Sequence, residues 1–282
     1  MDKDVAESFL RDLTHRDLQK DFGVFDSAHV ESVVAQWMDD EQDAAWRFAE
    51  LADFQPGLNR ILDMACGCGT AVFWGLKHGL ETYGIDPNAD KHRFLTLKAH
   101  AYGYPEAWLQ HFRMGVGEQL PYADGEFDAV LSYQTLEHVQ DLRKVLAEII
   151  RVIRVGGCAN LRFPDYRGTF EGHYLLPWIP LFPKGLAKAY LRLLGRPMRG
   201  LEGINYVTAS SVIKLIESLR GERPSLRLEI VDGSRVRFLK ELALRGLPVW
   251  QWLYVPYWAL TYFRCLFHRE MGANLFIRIL AK

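Results

Sequence analysis

Asp63 and Asp86 are the residues whose type and spacing first suggest chemistry. Asp63 ends the apolar run of RILDMACGCGT, Arg60 to Thr70, and Gly67 and Gly69 follow it with one cysteine between them. A carboxylate and a CGCG bend at the end of a buried strand have two readings: a thiol site on Cys66 and Cys68, or a loop built to lie against a small ligand. Glycine removes the Cβ that would block close approach, and a helix opening near Thr70 offers free N–H groups. The stretch is not a dinucleotide fingerprint, because G-x-G-x-x-G would need glycine where Val72 stands. Asp63 would also repel a pyrophosphate, whereas it would attract a cationic or zwitterionic ligand. Asp86, in YGIDPN, lies 23 residues further on at the end of the next apolar run. A carboxylate there suits a ribose diol, since it can accept both hydroxyl protons. A glycine bend between two such acids describes a site for a nucleoside carrying an amino-acid tail, which is S-adenosyl-L-methionine (SAM).

The elements that must position these groups are short apolar strands alternating with helical segments from Asn59 onward: RILDMA, AVFWGLKHG, ETYGIDPN, ADKHRFLTLKAHAYG, AWLQHFRM, FDAVLSY, LRKVLAEIIRVIR and CANLRF. That alternation predicts an α/β, doubly wound parallel sheet with helices on both faces. Residues 1–58 read as an acidic helical extension and 59–164 as a Rossmann-like core. Residues 165–206 read as an apolar and basic cap, and 207–282 as the rest of the core, with an aromatic-rich insertion at about 238–268.

Four stretches in order resemble the class I SAM-dependent methyltransferases, in the branch of the ubiquinone and menaquinone enzymes: LDMACGCGT, GIDPN, GVGEQLPYADGEFDAVLSYQTLEHV and EIIRVIRVGGCANLRFPD. The resemblance covers about residues 59 to 164 and the two closing strands. It implies a seven-stranded sheet whose last strand, NLFIRILAK, is antiparallel. It also implies that Asp63, Gly67 and Gly69 hold the methionine part of SAM, with Ala65 in the same loop. Asp86 would hold the ribose, Gly117 and Glu118 would lie beside the adenine, and Gln134 near the sulfonium. The family usually carries an acid just before the Gly117 position to bond the adenine amine, and here that residue is Val116. Losing that bond costs about 1 kcal/mol.

Methyl transfer is an in-line displacement, so positioning supplies most of the catalysis, and a base is needed only for a poor nucleophile such as a hydroxyl. His138 and His173 are the candidate bases. His138, with Glu137, is expected to open a helix. His173 follows the fifth strand, with Asp165, Tyr166 and Glu171 near enough in sequence to orient it. A packing role for His138 and a turn-capping role for His173 are the alternatives. Related quinone O-methyltransferases hold a metal on an E-x-x-E-H version of QTLEH. Its first acid is Gln134 here, so no metal is expected.

Four cysteines spread over 282 residues, with only a C-x-C pair close together, exclude a disulfide scaffold and a C-x-x-C zinc or redox site. The reading is a cytoplasmic protein, peripheral at the inner membrane face. Its net charge of −1 hides a split, because residues 1–142 hold 11 basic and 25 acidic side chains and 143–282 hold 23 and 10. A basic half points to an anionic partner, or to the halves satisfying one another. From Gly172 to Leu201 there are five basic residues and no acid, with Lys184, Lys188, Arg192 and Arg196 every four residues among apolar ones. Leu247 to Phe263 is a 17-residue uncharged run with seven aromatics, interrupted by Pro256 and too short to span a bilayer. Both pieces suit an anionic membrane surface. A lid over a soluble acceptor and a subunit interface are the alternatives. A nucleic-acid partner is not expected, since the basic half has no recognisable binding motif. The expected acceptor is amphipathic or lipid-linked, with oxygen the target atom. A soluble sugar or secondary metabolite is the alternative, and a non-catalytic binding protein the alternative of another class.

Overall fold

The computed structural model describes residues 3–233 and 272–282. Three helices come first, α1 (Lys3–Asp17), α2 (Ser27–Met38) and α3 (Asp40–Phe54), with a π-helical turn at Leu18–Phe22 between α1 and α2. The alternating part runs β1 (Arg60–Met64), α4 (Thr70–Lys77), β2 (Glu81–Asp86), α5 (Ala89–Tyr102), β3 (Phe112–Met114), β4 (Phe127–Tyr133), α6 (Leu142–Val152) and β5 (Ile153–Pro164). The cap holds a two-stranded hairpin, β6 (Phe170–Glu171) and β7 (Leu176–Pro177), then α7 (Lys184–Leu193) and α8 (Arg199–Glu202). The chain returns through α9 (Ala209–Glu222) and β8 (Arg227–Asp232) and ends in β9 (Gly272–Ala281). The seven main strands form one sheet in the order β3-β2-β1-β4-β5-β9-β8. β9 is antiparallel to both of its neighbours, as the resemblance implied.

Alternation along the strands explains the layers. Ile61, Ala129, Leu131 and Cys158 pack against Ala44, Phe48 and Leu51 of α3 and Ala71 of α4. Their neighbours Leu62, Met64, Val130, Ala159 and Leu161 point to the other face, against Val145, Leu146 and Ile149 of α6 and Val212 and Ile216 of α9. Successive strand residues face opposite ways, so two apolar sets within one strand need a helical layer on each side. The direction of strand order reverses between β1 and β4, and a crevice opens there beyond the carboxyl ends of the strands.

Two local expectations change. AWLQHFRM is a 3₁₀ turn over Glu106–His111 followed by the three-residue β3, because β3 is an edge strand paired only with β2. Glu137 and His138 lie in a turn, and α6 begins later at Leu142, where Asp141 caps it by accepting from Lys144 N at 3.1 Å. The aromatic run Leu247–Phe263 lies outside the described residues.

The N-terminal helices are bolted to the core by a charge pair out of water. Lys98 of α5 has no exposed surface. Its Nζ donates to the Trp37 carbonyl at 2.6 Å and pairs with Asp40 Oδ1 at 2.6 Å. Asp40 Oδ2 accepts from the Tyr104 hydroxyl at 2.6 Å. Removing one partner of a buried pair strands the other charge, at a cost of about 3–5 kcal/mol. Lys98→Met should therefore lower the urea midpoint sharply, and adding Asp40→Asn should recover part of the loss. A Lys98→Met protein as stable as the parent would contradict this.

Candidate active site

One cavity of about 620 Å³ opens at the crevice, and both acids line it. Asp63, buried, is the last residue but one of β1, opposite Gly84 of β2, and Asp86 is the last residue of β2. Asp86 is fixed by two loops, since Oδ2 accepts from Gly67 N, in the loop after β1, at 3.0 Å and Oδ1 from Asn88 N, in the loop after β2, at 2.9 Å. Lys91 Nζ stands 3.8 Å from the same carboxylate. Asp63 makes no side-chain hydrogen bond among the described residues. Burial pushes its pKa up to about 7, with Arg47 acting downward and Asp43 and Asp86 upward. A buried carboxylate of this kind gains from a cation placed beside it.

The glycines divide their roles. Gly67 has φ 53° and would project a Cβ into open space, 3.8 Å from Lys91 Nζ, so a ligand can lie against its backbone. Gly69, at φ 75°, does not line the cavity. A Cβ there would come within 2.5 Å of Leu95 Cδ2 and 2.9 Å of Phe112 Cε1, so this glycine serves the packing of α4 against α5 and β3. Ala65 and Gln134 line the cavity in the left-handed region, at φ 62° and 52°. Such backbone is costly without glycine and clusters where a site needs it. Gly117 and the exposed Val116 line the adenine end expected from the resemblance. Glu118 is there too, but its Oε1 accepts from Gln140 N at 2.7 Å and Asp141 N at 3.3 Å, tying this loop to the turn after β4. Cys66 and Cys68 are free and buried. Burial raises the Cys66 thiol well above its usual range and pushes Cys68 up to about 12, so neither is a ready nucleophile.

The two histidines meet. His138 Nε2 lies 3.1 Å from His173 Nε2, and His173 Nδ1 is 2.7 Å from Glu171 Oε1. Glu171 also accepts from Tyr174 N at 2.7 Å and from the Tyr166 hydroxyl at 3.2 Å. Burial works to raise the Glu171 pKa, but the His173 bond and these donors outweigh it and hold the carboxylate low. Only His138 lines the cavity, and His173 stands behind it on the cap. His138 is 42% exposed by side-chain area, but that surface faces a recess. Surrounding protein, and next His173, pull its pKa down to about 4, so the ring is neutral at physiological pH. Asp165, considered as an orienting group, instead pairs with Arg167 and accepts from Ala209 N. Glu137, fully buried, brings Oε1 to 3.9 Å from His138 Nε2. Ligand-type atoms of Glu137, His138 and His173 lie within 4.8 Å of one another, close enough to share one cation, whether a proton or a metal ion.

Sequence reasoning missed the wall supplied by the N-terminal helices. Gln36 and Trp37 of α2 and Asp43 and Arg47 of α3 all line the cavity. Asp43 accepts from Gln36 Nε2 at 2.6 Å, Arg47 Nη2 at 2.6 Å and Thr70 Oγ1 at 2.5 Å. On an acidic helix these charges look like a solvated face. The one available signal was that Asp43 and Arg47 share the helix face of the apolar Ala44 and Phe48.

The strand order and the crevice at its reversal are those of the Rossmann-like methyltransferase fold. The residues fit SAM on two observations, the buried Asp63 carboxylate without a hydrogen bond and the open approach at Gly67. Residues 62–160 match the family described as methyltransferase domain. A norajmaline N-methyltransferase of Rauvolfia serpentina is 37% identical over 117 residues, 40% of this chain and 39% of that one. A demethylmenaquinone methyltransferase of Bacillus mycoides is 31% identical over 156 residues, 52% of this chain and 64% of that one. The chain thus spans about four-tenths of the first curated relatives it matches. A phosphoethanolamine N-methyltransferase of Haemonchus contortus, in complex with SAM, shares the fold at a TM-score of 0.52 and 15% identity, over 86% of this chain and 53% of that one. The match to a methyltransferase domain thus falls on the strands and loops that hold both acids, and SAM is the ligand these residues fit.

The Asp63 carboxyl keeps its proton up to about pH 7 in the folded chain, against an ordinary value of 3.8. Its contribution to stability is therefore present at low pH and lost as pH rises through 7. A cationic ligand selects the ionised form, so SAM affinity should rise about tenfold between pH 6 and pH 8. Asp63→Asn should flatten that profile. Titration calorimetry at several pH values checks this, and a pH-independent affinity in the parent protein would contradict it.

Proposed function

We propose that this protein transfers the methyl group of SAM to an oxygen of an amphipathic or lipid-linked acceptor presented at an anionic membrane surface. The observation that carries the reading is the His138–His173 contact, which joins the cavity wall to the cap at 3.1 Å. An acceptor reaching the cavity beside His138 passes the cap, so the cap's outer surface selects what arrives. SAM supplies an electrophilic methyl on a sulfonium. The protein's part is to hold the acceptor in line with it and to take the hydroxyl proton. Neutral His138 does not repel a sulfonium. In this reading the acceptor hydroxyl displaces the Nε2–Nε2 contact and gives its proton to His138 Nε2, while Glu137 and the His173–Glu171 pair stabilise the resulting imidazolium. Such a base contributes about 10²–10⁴ in rate.

The cap supports the membrane half of the reading. Its aromatic residues are partly spent on a small core of their own, Tyr174, Trp178, Phe182, Ala187, Leu191 and Leu201. That core favours a second reading, a closed lid over a soluble sugar or secondary metabolite. Helix α7, however, is apolar on two sides. Ala187 and Leu191 are buried, whereas Leu186 and Leu193, seven residues apart, turn outward at 61% and 84% exposure. Lys184, Lys188 and Arg192 run beside them at four-residue spacing, and Ile179 at 57% exposure extends the apolar edge. Outward leucines flanked by basic residues are what an interfacial helix presents to anionic lipid. No helix among the described residues is long and apolar enough to cross a membrane.

Flotation with vesicles containing anionic lipid should recover the protein at low salt, and Leu186→Glu with Leu193→Glu should lower recovery at least tenfold. Equal recovery would transfer the reading to the soluble acceptor. With an accepted substrate, His138→Ala should lower kcat by about 10²-fold or more at unchanged SAM affinity, and a metal chelator should have no effect. Loss of activity on chelation would replace the shared proton by a metal ion. An unchanged kcat would remove the base, and no turnover with any acceptor would favour a non-catalytic binding protein.

A further inference from the structure

The N-terminal extension meets the cap at Phe22. This residue closes the π-helical turn Leu18–Phe22, a rare form that is frequent at functional sites. Gly23 follows in the left-handed region at φ 63°, and its carbonyl accepts from Arg196 of the cap. A Cβ on Gly23 would come within 2.5 Å of Pro197 Cδ, and one on Gly200 within 2.5 Å of Phe22 Cδ1 and 2.6 Å of the Asp21 carbonyl oxygen. Glycine thus stands on both sides of this contact, where the two segments approach too closely for a side chain. The Phe22 ring lies flat on His173, with centroids 5.2 Å apart and 28° between the planes, and meets Tyr174 edge-on at 5.1 Å. Tyr174 is anchored in turn, its hydroxyl donating to the Pro197 carbonyl and accepting from Leu201 N, both at 2.9 Å. His173 is therefore held at three parts of one ring. Nδ1 is on Glu171 at 2.7 Å, Nε2 is on His138 at 3.1 Å, and one face is on Phe22. His138 stands nearly perpendicular to it, at 87°. A ring held by a hydrogen bond at Nδ1 can still rock about that bond, and a flat contact on its face removes that freedom.

We propose that Phe22 is a positioning residue for the histidine pair, so that the N-terminal extension completes the acceptor end of the site from outside the cavity. This rests on the reading of His138 as the base. Phe22 does not line the cavity and reaches the chemistry only through His173. It holds the His173 ring in the plane that aims Nε2 at His138, and His138 stands in the cavity wall. Packing is the competing role, since Phe22 also lies against the apolar core of the cap. Packing asks only for apolar volume, whereas a flat contact on His173 asks for a ring. The Asp21–Arg199 pair beside it, at 3.2 Å, is largely exposed and contributes little to holding the two segments together.

The test reads the Nε2–Nε2 contact itself, as the nitrogen–nitrogen coupling across the hydrogen bond in nuclear magnetic resonance spectra of the full chain with isotopically labelled histidine. The parent is compared with Phe22→Leu, Phe22→Tyr and Gly200→Ala, and with Phe25→Leu at an exposed ring of the same segment. The parent and Phe25→Leu should show the coupling. Phe22→Leu, which keeps apolar volume without a ring, should lose it, and Phe22→Tyr should retain it. Gly200→Ala, whose Cβ displaces the ring from the opposite side, should lose it too and keeps the test available if Phe22→Leu fails to fold. Calorimetric affinity for S-adenosylhomocysteine should be unchanged throughout. Coupling that survives in Phe22→Leu, or that is lost equally in Phe22→Tyr, overturns the positioning role and leaves Phe22 to packing. Loss of S-adenosylhomocysteine binding along with the coupling marks general disruption and overturns it as well. A parent without the coupling overturns the His138–His173 contact, and with it the reading of His138 as the base.

Discussion

Two carboxylates kept out of bulk water at the ends of adjacent parallel strands are the constraint around which this structure is arranged. Parallel pairing of β1 with β2 sets Asp63 and Asp86 at one end of the sheet, and the reversal of strand order beside β1 leaves a crevice there. The two acids are not equivalent. Asp86 accepts from backbone N–H groups of the loops after β1 and after β2 and acts as a fixed acceptor, while Asp63 has no hydrogen bond among the described residues and holds its proton to about pH 7. A site with one rigid acid and one acid that lacks a partner is poised for a ligand that brings a positive charge and a diol together.

The rest of the molecule closes around that pair from two directions. From the N-terminal side, α2 and α3 lay Gln36, Trp37, Asp43 and Arg47 along the cavity, and the Lys98–Asp40 pair holds them to α5. From the other side, the cap hairpin brings His173 against His138, with Glu171 behind it. Two walls around the cavity are thus furnished by different additions to one sheet. In such folds chemistry changes through additions while the sheet persists.

Much of this was legible in the sequence. Strand–helix alternation, the acids at strand ends, the glycine bend and the closing strand all follow from patterns whose period and position are local, and each is found where those patterns place it. What was not legible depends on tertiary approach. Arg47 and Asp43 lie on a helix with the charge pattern of a solvated surface, and only the packing of α3 on β1, β4 and α4 turns them inward. Gly69 looks like a ligand-contacting glycine, yet the close approach it permits is that of Leu95 and Phe112. Glu137 and His138 resemble a helix start, but the Asp141 cap moves that start to Leu142. The cap's apolar residues read as one surface, and only the fold separates those that pack together from Leu186 and Leu193, which do not.

The central claim is that Asp63 and Asp86 form one binding site for an adenosyl amino acid. It is tested most directly by titrating the full chain with S-adenosylhomocysteine and repeating the titration with Asp86→Ala, whose fold is verified by its unchanged thermal transition. The account predicts one site per chain with a micromolar Kd, weakened at least thirtyfold by the substitution. Absence of binding to the parent chain, or equal binding to both proteins, would contradict it.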